Sequence, residues 1–376
     1  MAAKKKRILV SIGTRPEAIK MAPLIKRLEV HSSFDVTVCV TGQHRAMLDQ
    51  VLDLFEIKPQ YDLNLMKPHQ SLTEVTTAAL SGMTEVIQAA SPNLILVHGD
   101  TTTTMASSLA AFYQKVPLGH VEAGLRTGDL FAPWPEEANR KIAGTLAQLH
   151  FAPTESARMN LLKEQISPSN IHVTGNTVID ALCDVTNRIA IDRNLESVLL
   201  AEMPFLNTDK KIIMVTAHRR ENFGKPIESI FKALRGLADR QDCLVAYPVH
   251  LNPHVSEPAK RILGDHPNVK LLPPLDYLPF VFLLSRAYFV VTDSGGVQEE
   301  APSLGKPVLV LRSVTERPEA VLAGTVKLVG YDADKILAES NLLFDSKDEY
   351  LKMSHAHNPY GDGKACERII EVLEKW

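Results

Sequence analysis

Short runs of valine, isoleucine and leucine, with no polar residue alternating between them, recur along this chain and end in reactive side chains. Four show the pattern: Leu94-Ile-Leu-Val-His-Gly-Asp100, Val116-Pro-Leu-Gly-His-Val-Glu-Ala-Gly124, Ile212-Ile-Met-Val-Thr-Ala-His-Arg219 and Tyr288-Phe-Val-Val-Thr-Asp-Ser-Gly-Gly296. A strand that is apolar on both sides has to be covered on both sides. That suits parallel strands inside a layered α/β sheet, not a half-solvated antiparallel one. Such sheets take ligands beyond the carboxyl ends of their strands. Asp100, Glu122, His218 and the turn Ser294-Gly295-Gly296 therefore stand where chemistry is expected, and the chain reads as an enzyme.

With 376 residues, the chain exceeds what one hydrophobic core usually holds, so two domains are expected. In the first half, strands are predicted over Ile8–Gly13, Val36–Thr41, Leu94–Val97, Val116–Val121, His150–Ala152 and Ile171–Val173. Helices fit Arg45–Phe55, Leu72–Ala90, Thr103–Gln114, Glu136–Leu149 and Glu155–Glu164. Thr14-Arg-Pro-Glu17 opens a further helix, with capping-box spacing and a proline in its first turn. Pro23 inside that helix predicts a kink or break. Gly175-Asn176 closes this set, giving a first domain over 1–176. The second domain, 177–363, starts with a polar helical connector over 177–209. It then repeats the plan with strands at Ile212–Thr216, Leu244–Tyr247, Val269–Leu272, Phe289–Thr292, Val308–Leu311 and Val326–Val329. Helices between strands imply a parallel sheet in each half. Two such Rossmann-like domains facing one another leave a cleft, a preferred place for a small ligand.

A net charge of −3 disfavours a dedicated nucleic-acid binder, so an anionic ligand has to be held by local donors. Four cysteines without a C-x-x-C pair read as reduced thiols in a cytoplasmic protein. The basic stretch Lys4-Lys-Lys-Arg7 precedes an apolar run too short for a signal peptide or membrane span. No H-E-x-x-H, cysteine cluster, G-x-S-x-G elbow, Walker loop or G-x-G-x-x-G follows any strand, so neither metal nor nicotinamide cofactor is expected. His250 and His254 are four apart, but Pro253 between them argues against one helix presenting both.

Each candidate site also has a plainer reading. Ser294-Gly295-Gly296 before a helix makes a diphosphate seat, because glycines and a helix N-terminus bring N–H groups to an anion. It equally makes a tight turn with Ser294 as the N-cap. Glu300, one turn in, can accept from two adjacent sugar hydroxyls or simply face solvent. Asp100 reads as an acid–base group or as the N-cap of the next helix, with the threonines Thr101–Thr104 competing for that job. Those threonines also supply more hydroxyls than one helix start needs. Glu136 follows the proline-braced loop Phe131-Ala-Pro-Trp-Pro135; it is either a delivered carboxylate or, like Glu137, a charge that suits a helix dipole. His218 is the strongest single acid–base candidate, and Arg219 with Arg220 either meets an anion or forms a solvated loop.

Taken in order, these segments resemble the non-hydrolysing UDP-N-acetylglucosamine 2-epimerases of bacterial polysaccharide synthesis. The likeness runs from Gly13-Thr-Arg-Pro-Glu-Ala-Ile-Lys20 to His357-Asn-Pro-Tyr-Gly-Asp-Gly363. Between them lie His98-Gly-Asp-Thr-Thr-Thr103, His120-Val-Glu-Ala-Gly-Leu-Arg126, Trp134-Pro-Glu-Glu-Ala-Asn-Arg140, Ala217-His-Arg-Arg-Glu-Asn222 and Asp293-Ser-Gly-Gly-Val-Gln-Glu-Glu-Ala-Pro-Ser303. The resemblance implies a homodimer with the two-domain fold of many nucleotide-sugar glycosyltransferases (glycosyltransferase-B-like). It also implies a last helix, within 364–376, that returns to the first domain. Asp100, Glu122, Glu136 and His218 match the family's catalytic positions. Arg15, Lys20, Phe280, Ser294, Gly295, Gly296, Glu300 and Arg317 match its contacts to UDP-N-acetylglucosamine or UDP. Leu275 stands where some members have a glutamine. Gln43, His44, Gln70, Arg219 and His250 match a second, activating nucleotide-sugar site of some members, although His69 replaces an arginine there.

Overall fold

The computed structural model describes residues 5–376 apart from 43, 44, 68 and 316. The chain divides into two compact units, 1–181 together with 360–376, and 182–359.

Unit 1 begins with strand β1 (Lys6–Ile12), helix α1 (Arg15–Val30), β2 (Phe34–Val40), α2 (Arg45–Leu54) and the two-residue β3 (Tyr61–Asp62). It continues through α3 (Leu72–Ala90), β4 (Leu94–His98), α4 (Thr102–Tyr113), β5 (Leu118–Val121) and α5 (Glu136–Leu146). Then come β6 (Leu149–Ala152), α6 (Glu155–Lys163) and β7 (Ile171–Val173), followed by α7 (Thr177–Ile191), which starts in unit 1 and continues past residue 181 into unit 2. The strands form one parallel sheet in the order β3-β2-β1-β4-β5-β6-β7. Ile8, Val10 and Ile12 of β1 pack on one face with Met21, Leu24, Ile25 and Leu28 of α1. Leu9 packs on the other with Met83 and Ile87 of α3 and Ala110 of α4. Both faces of β1 are thus covered, which is why its sequence does not alternate.

The observed elements differ from the sequence reading at three places. Helix α1 runs through Pro23 without a break; Pro23 and both its neighbours are buried, and that packing outweighs one lost helical hydrogen bond. Helix α5 stops at Leu146, because Leu149 already belongs to β6. Strand β3 is too short to leave a pattern in sequence, and it exists through its pairing with β2.

Unit 2 carries α8 (Arg193–Glu202), β8 (Lys211–Thr216), α9 (Lys225–Ala238), β9 (Cys243–Pro248), α10 (Pro253–Leu263), β10 (Val269–Leu272) and α11 (Tyr277–Arg286). After these follow β11 (Phe289–Thr292), α12 (Gly295–Ser303), β12 (Val308–Val310), α13 (Pro318–Ala323), β13 (Val326–Leu328), α14 (Ala333–Asp345) and α15 (Lys347–Ser354). Its parallel sheet has the order β10-β9-β8-β11-β12-β13. Ile213 and Val215 of β8 share a core with Ile227, Ile230, Phe231 and Leu234 of α9.

Each sheet reverses its winding once, between β1 and β4 in unit 1 and between β8 and β11 in unit 2. The loops leaving such a pair of strands diverge, and the crevice between them is where an open α/β sheet binds its ligand. Gly13-Thr14-Arg15 and Gly99-Asp100 leave the first pair; Ala217-His218-Arg219 and Asp293-Ser294 leave the second.

The last helix, α16 (Ala365–Lys375), belongs to unit 1, where Cys366, Ile369 and Leu373 join the cluster under α1. Its first turn is fixed by Asp180, whose carboxylate accepts from the Ala365 N–H at 3.1 Å and the Cys366 N–H at 2.9 Å. Replacing Asp180 by alanine strips the acceptor from two helix-start amides. Chemical denaturation should show a loss of about 1–2 kcal/mol, with the fastest new amide exchange in α16; unchanged exchange there would refute this anchoring role.

Candidate active site

In unit 1 the site is assembled around a buried carboxylate that sequence spacing presents only as half of a capping box. One oxygen of Glu17 accepts from the Gly13 N–H at 3.0 Å, the Thr14 N–H at 2.7 Å and the Thr14 hydroxyl at 2.9 Å. Its other oxygen accepts from the hydroxyls of Thr101 at 2.7 Å and Thr104 at 3.1 Å. Burial raises the Glu17 pKa, against these hydrogen bonds. The same turn tolerates only glycine at position 13, since a Cβ there would sit 2.0 Å from the Thr103 hydroxyl. Thr103 itself bonds the Thr41 hydroxyl at 2.7 Å. Thr101 and Thr104 therefore tie the β4 loop to Glu17 of α1, Thr103 ties it to the end of β2, and these hydroxyls are spent inside the protein.

That stitching decides the role of Asp100. Thr101 is the N-cap of α4, accepting from the Thr104 N–H at 3.1 Å, so Asp100 is not the cap. Its carboxylate instead pairs with Arg140 of α5, whose other terminal nitrogen lies 3.3 Å from Glu137. Asn139 adds a bond to the Asp100 carbonyl at 2.9 Å. The Asp100 pKa is raised, first by burial; Arg140 opposes the rise, and the charge of Glu122 adds to it.

Glu122 follows β5 and adopts φ +62°, a left-handed backbone that costs a residue with a side chain about 1 kcal/mol. Two partners hold its carboxylate: an ion pair with Lys20 of α1, and the Asn176 side-chain amide at 2.8 Å. Asn176 is in turn fixed by its own N–H to the Tyr360 carbonyl at 2.7 Å. Behind Glu122 lies His98, fully enclosed, its Nε2 3.8 Å away. Burial pushes the His98 pKa down to about 4, so this imidazole is neutral near neutral pH. Lys20 and Glu122 are thus paired directly, and the charges of both act on the Asp100 carboxyl. Arg15 is half-buried in the first turn of α1, the helix that carries Lys20.

Glu136 opens α5 half-buried, and no hydrogen bond or ion pair joins it to Asp100 or Glu122. Its neighbour Glu137, expected merely to suit the helix dipole, is fully buried and accepts from the N–H groups of Thr127 and Gly128, each at 3.2 Å. It anchors the preceding loop.

In unit 2, His218 sits beyond β8, over another buried carboxylate. One oxygen of Asp293 accepts from the His218 N–H and the Arg219 N–H, both at 2.8 Å, and from the Asn222 amide at 3.0 Å. Buried Tyr247 of β9 donates to the Ala217 carbonyl at 2.6 Å, fixing the same loop from below. The His218 ring stacks on His250 at 5.6 Å. Its pKa is lowered by burial; Asp293 works against that fall, and His250 and Arg219 add to it.

Ser294 precedes α12, but its side chain does not cap the helix; the Thr292 hydroxyl accepts its N–H at 2.9 Å. A Cβ on Gly295 would lie 3.8 Å from the guanidinium groups of both Arg219 and Arg317. Two cations therefore flank a helix start made of glycine, a combination suited to an anion. Arg317 is oriented by an ion pair with Glu299. Glu300 is buried, held by the Tyr277 hydroxyl at 3.1 Å, with its second oxygen on the side of Gly296. It is not the solvated glutamate of the plainer reading. Phe280 is half-buried on α11, and Leu275 precedes that helix.

The second-site residues are less coherent. Gln43 and His44 lie outside the described residues. Both ends of the Gln70 amide are used within its own loop, on the Lys67 N–H at 2.7 Å and the Leu65 carbonyl at 3.0 Å. Arg219 and His250 both belong to the His218 cluster in unit 2. Among the described residues, no group of three or more His, Cys, Asp or Glu side chains could hold a metal ion, and no helix is long and apolar enough to cross a membrane.

Comparison with known proteins places this geometry. The profile of a family described as UDP-N-acetylglucosamine 2-epimerase matches residues 26–374. A UDP-N-acetylglucosamine 2-epimerase of Salmonella typhimurium is 58% identical over 371 residues, covering 98% of this chain and 99% of that one. The crystal structure of UDP-GlcNAc 2-epimerase from Neisseria meningitidis bound to UDP-GlcNAc is 52% identical, with a TM-score of 0.91 over 98% of this chain and 100% of that one. A glycosyltransferase of Rickettsia africae, only 14% identical, shares the fold with a TM-score of 0.65 over 99% of this chain and 98% of that one. The two parallel-sheet units are therefore of the glycosyltransferase-B-like class.

The electrostatics of Asp100 can be checked directly. Arg140 favours its ionised form, so Arg140→Met should move the Asp100 titration to higher pH in carboxyl-carbon NMR, with the circular dichroism unchanged. A shift to lower pH, or none, would contradict the pairing.

Proposed function

The chain belongs to the UDP-N-acetylglucosamine 2-epimerase family, and on that premise we propose that it interconverts UDP-N-acetylglucosamine and UDP-N-acetylmannosamine without net hydrolysis. A closed pyranose has no carbonyl beside C2, so its C2 hydrogen cannot leave as a simple proton to give a stabilised carbanion. Breaking the anomeric C–O bond as the C2 proton departs avoids this, yielding UDP and 2-acetamidoglucal. Protonation of the glucal from the opposite face, with return of UDP to the anomeric carbon, inverts C2. The UDP that leaves comes back, the C2 proton is replaced by one that exchanges with solvent, and no electron is exchanged, so the scheme calls for no redox cofactor.

The observation that carries this reading is a pair of carboxylates, Asp100 and Glu122, in the loops that leave the neighbouring strands β4 and β5, each paired with a cation. Burial and the charge of Glu122 both favour the protonated form of Asp100, with Arg140 opposing them. An inverting step needs an acid on one face and a base on the other. We assign these roles to the pair, with Lys20 and Arg140 orienting them. Glu136 stands apart from the pair in its bonding and is kept as a third carboxylate for substitution. Arg15, Ser294, Gly295, Gly296 and Arg317 are assigned to the diphosphate, with Glu300 on sugar hydroxyls and Phe280 against the nucleotide. His218 is the acid–base group nearest the departing UDP. Backbone N–H groups and cations stabilise that leaving group best where water is excluded. The same reading carries a cytoplasmic homodimer, and light scattering of the purified protein checks the dimer.

Incubation with UDP-N-acetylglucosamine in deuterated water tests the chemistry. The expected product is UDP-N-acetylmannosamine carrying deuterium at C2, with recovered substrate labelled as well. Rapid release of free N-acetylmannosamine and UDP would instead make the enzyme a hydrolysing epimerase. An unlabelled C2, with transfer of the sugar to an added acceptor, would make it a glycosyltransferase. Asp100→Asn, Glu122→Gln and His218→Ala should each lower turnover by about 100-fold or more with the fold retained. Full activity in all three would end the assignment.

A further inference from the structure

Asp293 lies at the carboxyl end of β11 and is fully buried. Such a carboxylate requires donors for both of its oxygens. Oδ2 has three: the His218 N–H, the Arg219 N–H and the Asn222 amide. Oδ1 has no hydrogen-bond partner, yet it faces the imidazole Nδ1 of His218 at 3.8 Å. A buried acceptor aimed at one ring nitrogen is more than the loop anchor that Oδ2 alone would provide. At 3.8 Å the two are not hydrogen-bonded, but a carboxylate oxygen on that side of the ring favours a proton on Nδ1 over one on Nε2. The neighbouring His250 cannot supply that acceptor, because its own Nδ1 takes the Asn252 N–H at 3.1 Å and its contact with His218 is ring on ring.

We propose that Asp293 is the positioning residue of His218: it holds the imidazole with the proton on Nδ1 and leaves the Nε2 lone pair as the atom that takes up and returns a proton. This rests on the acid–base role assigned to His218 above. When Nε2 accepts a proton, the ring becomes an imidazolium whose Nδ1–H points at a carboxylate, and the pair becomes ionic. Among the described residues, three charged or titratable groups bear on the ring: Asp293 from the end of β11, His250 from the loop after β9, and Arg219 from the loop of His218 itself. Of these, only Asp293 stabilises the imidazolium; the other two oppose it.

Three measurements separate this from a purely structural role. In the wild-type protein, nitrogen NMR of the neutral His218 ring, assigned by comparison with His218→Asn, should find the proton on Nδ1. A proton on Nε2 overturns the proposal, and this reading needs no variant of Asp293 to fold. Asp293→Asn keeps an oxygen for the three donors but sets an amide against the imidazole. Turnover is expected to fall about 10- to 100-fold, with KM within about twofold and the His218 titration moved to lower pH. A fall in kcat with an unmoved His218 titration would leave Asp293 as scaffold only and overturn the proposal. Finally, Asp293→Asn should cost nothing further in a His218→Asn background; independent, multiplying losses would count against it. If His218→Asn itself retains full turnover, the acid–base assignment fails, while the tautomer of the wild-type ring still decides whether Asp293 sets it.

Discussion

A buried carboxylate that must find donors organises the working end of each sheet. Desolvating a carboxylate costs several kcal/mol unless hydrogen bonds replace the lost water. The cheapest donors beyond the end of a parallel strand are the N–H groups of the adjoining loops. Glu17 meets its need from the turn after β1 and the helix start after β4. One oxygen of Asp293 meets its need from the loop after β8, and the other is left facing His218. In both units the two strands concerned flank the point where the sheet reverses its winding. Loops that would otherwise diverge there are thus drawn to a common acceptor.

The two units use this device to different ends. Around Glu17 the hydroxyls and amides are consumed, and the reactive groups Asp100 and Glu122 are left to pair with cations, Arg140 and Lys20. In unit 2 the acceptor itself lies under the reactive ring, and the cations Arg219 and Arg317 gather about a helix start without a capping side chain. Unit 1 therefore presents carboxylates with tuned charge, and unit 2 presents positive charge and free amides. That division matches a reaction in which a proton moves at carbon while a diphosphate leaves and returns.

Much of this was legible in the chain. Apolar runs without alternation identified both sheets, because a strand covered on two faces cannot carry a polar stripe. Their last residues pointed to Asp100, Glu122, His218 and Ser294. What escaped were partners distant in sequence. Arg140, Asn176 and Tyr277 look like ordinary helix or loop residues until the fold brings them to Asp100, Glu122 and Glu300. Glu17 was visible only as a local cap, because nothing in T-x-x-E spacing says that its second oxygen reaches Thr101. The threonine run misled in the opposite direction: its hydroxyls looked available to a ligand, and the close packing of Gly13 on Thr103 consumes the space around them.

The left-handed backbone at Glu122 has an evolutionary consequence. Glycine is the residue that this peptide geometry prefers, and one would relax the turn while discarding the carboxylate held by Lys20 and Asn176. Relief of about 1 kcal/mol of backbone strain is set against the loss of a largely buried ion pair and a hydrogen bond, so the glycine would not be the sturdier choice. A glutamate thus persists where the backbone alone would choose glycine, because two residues distant in sequence hold its carboxylate.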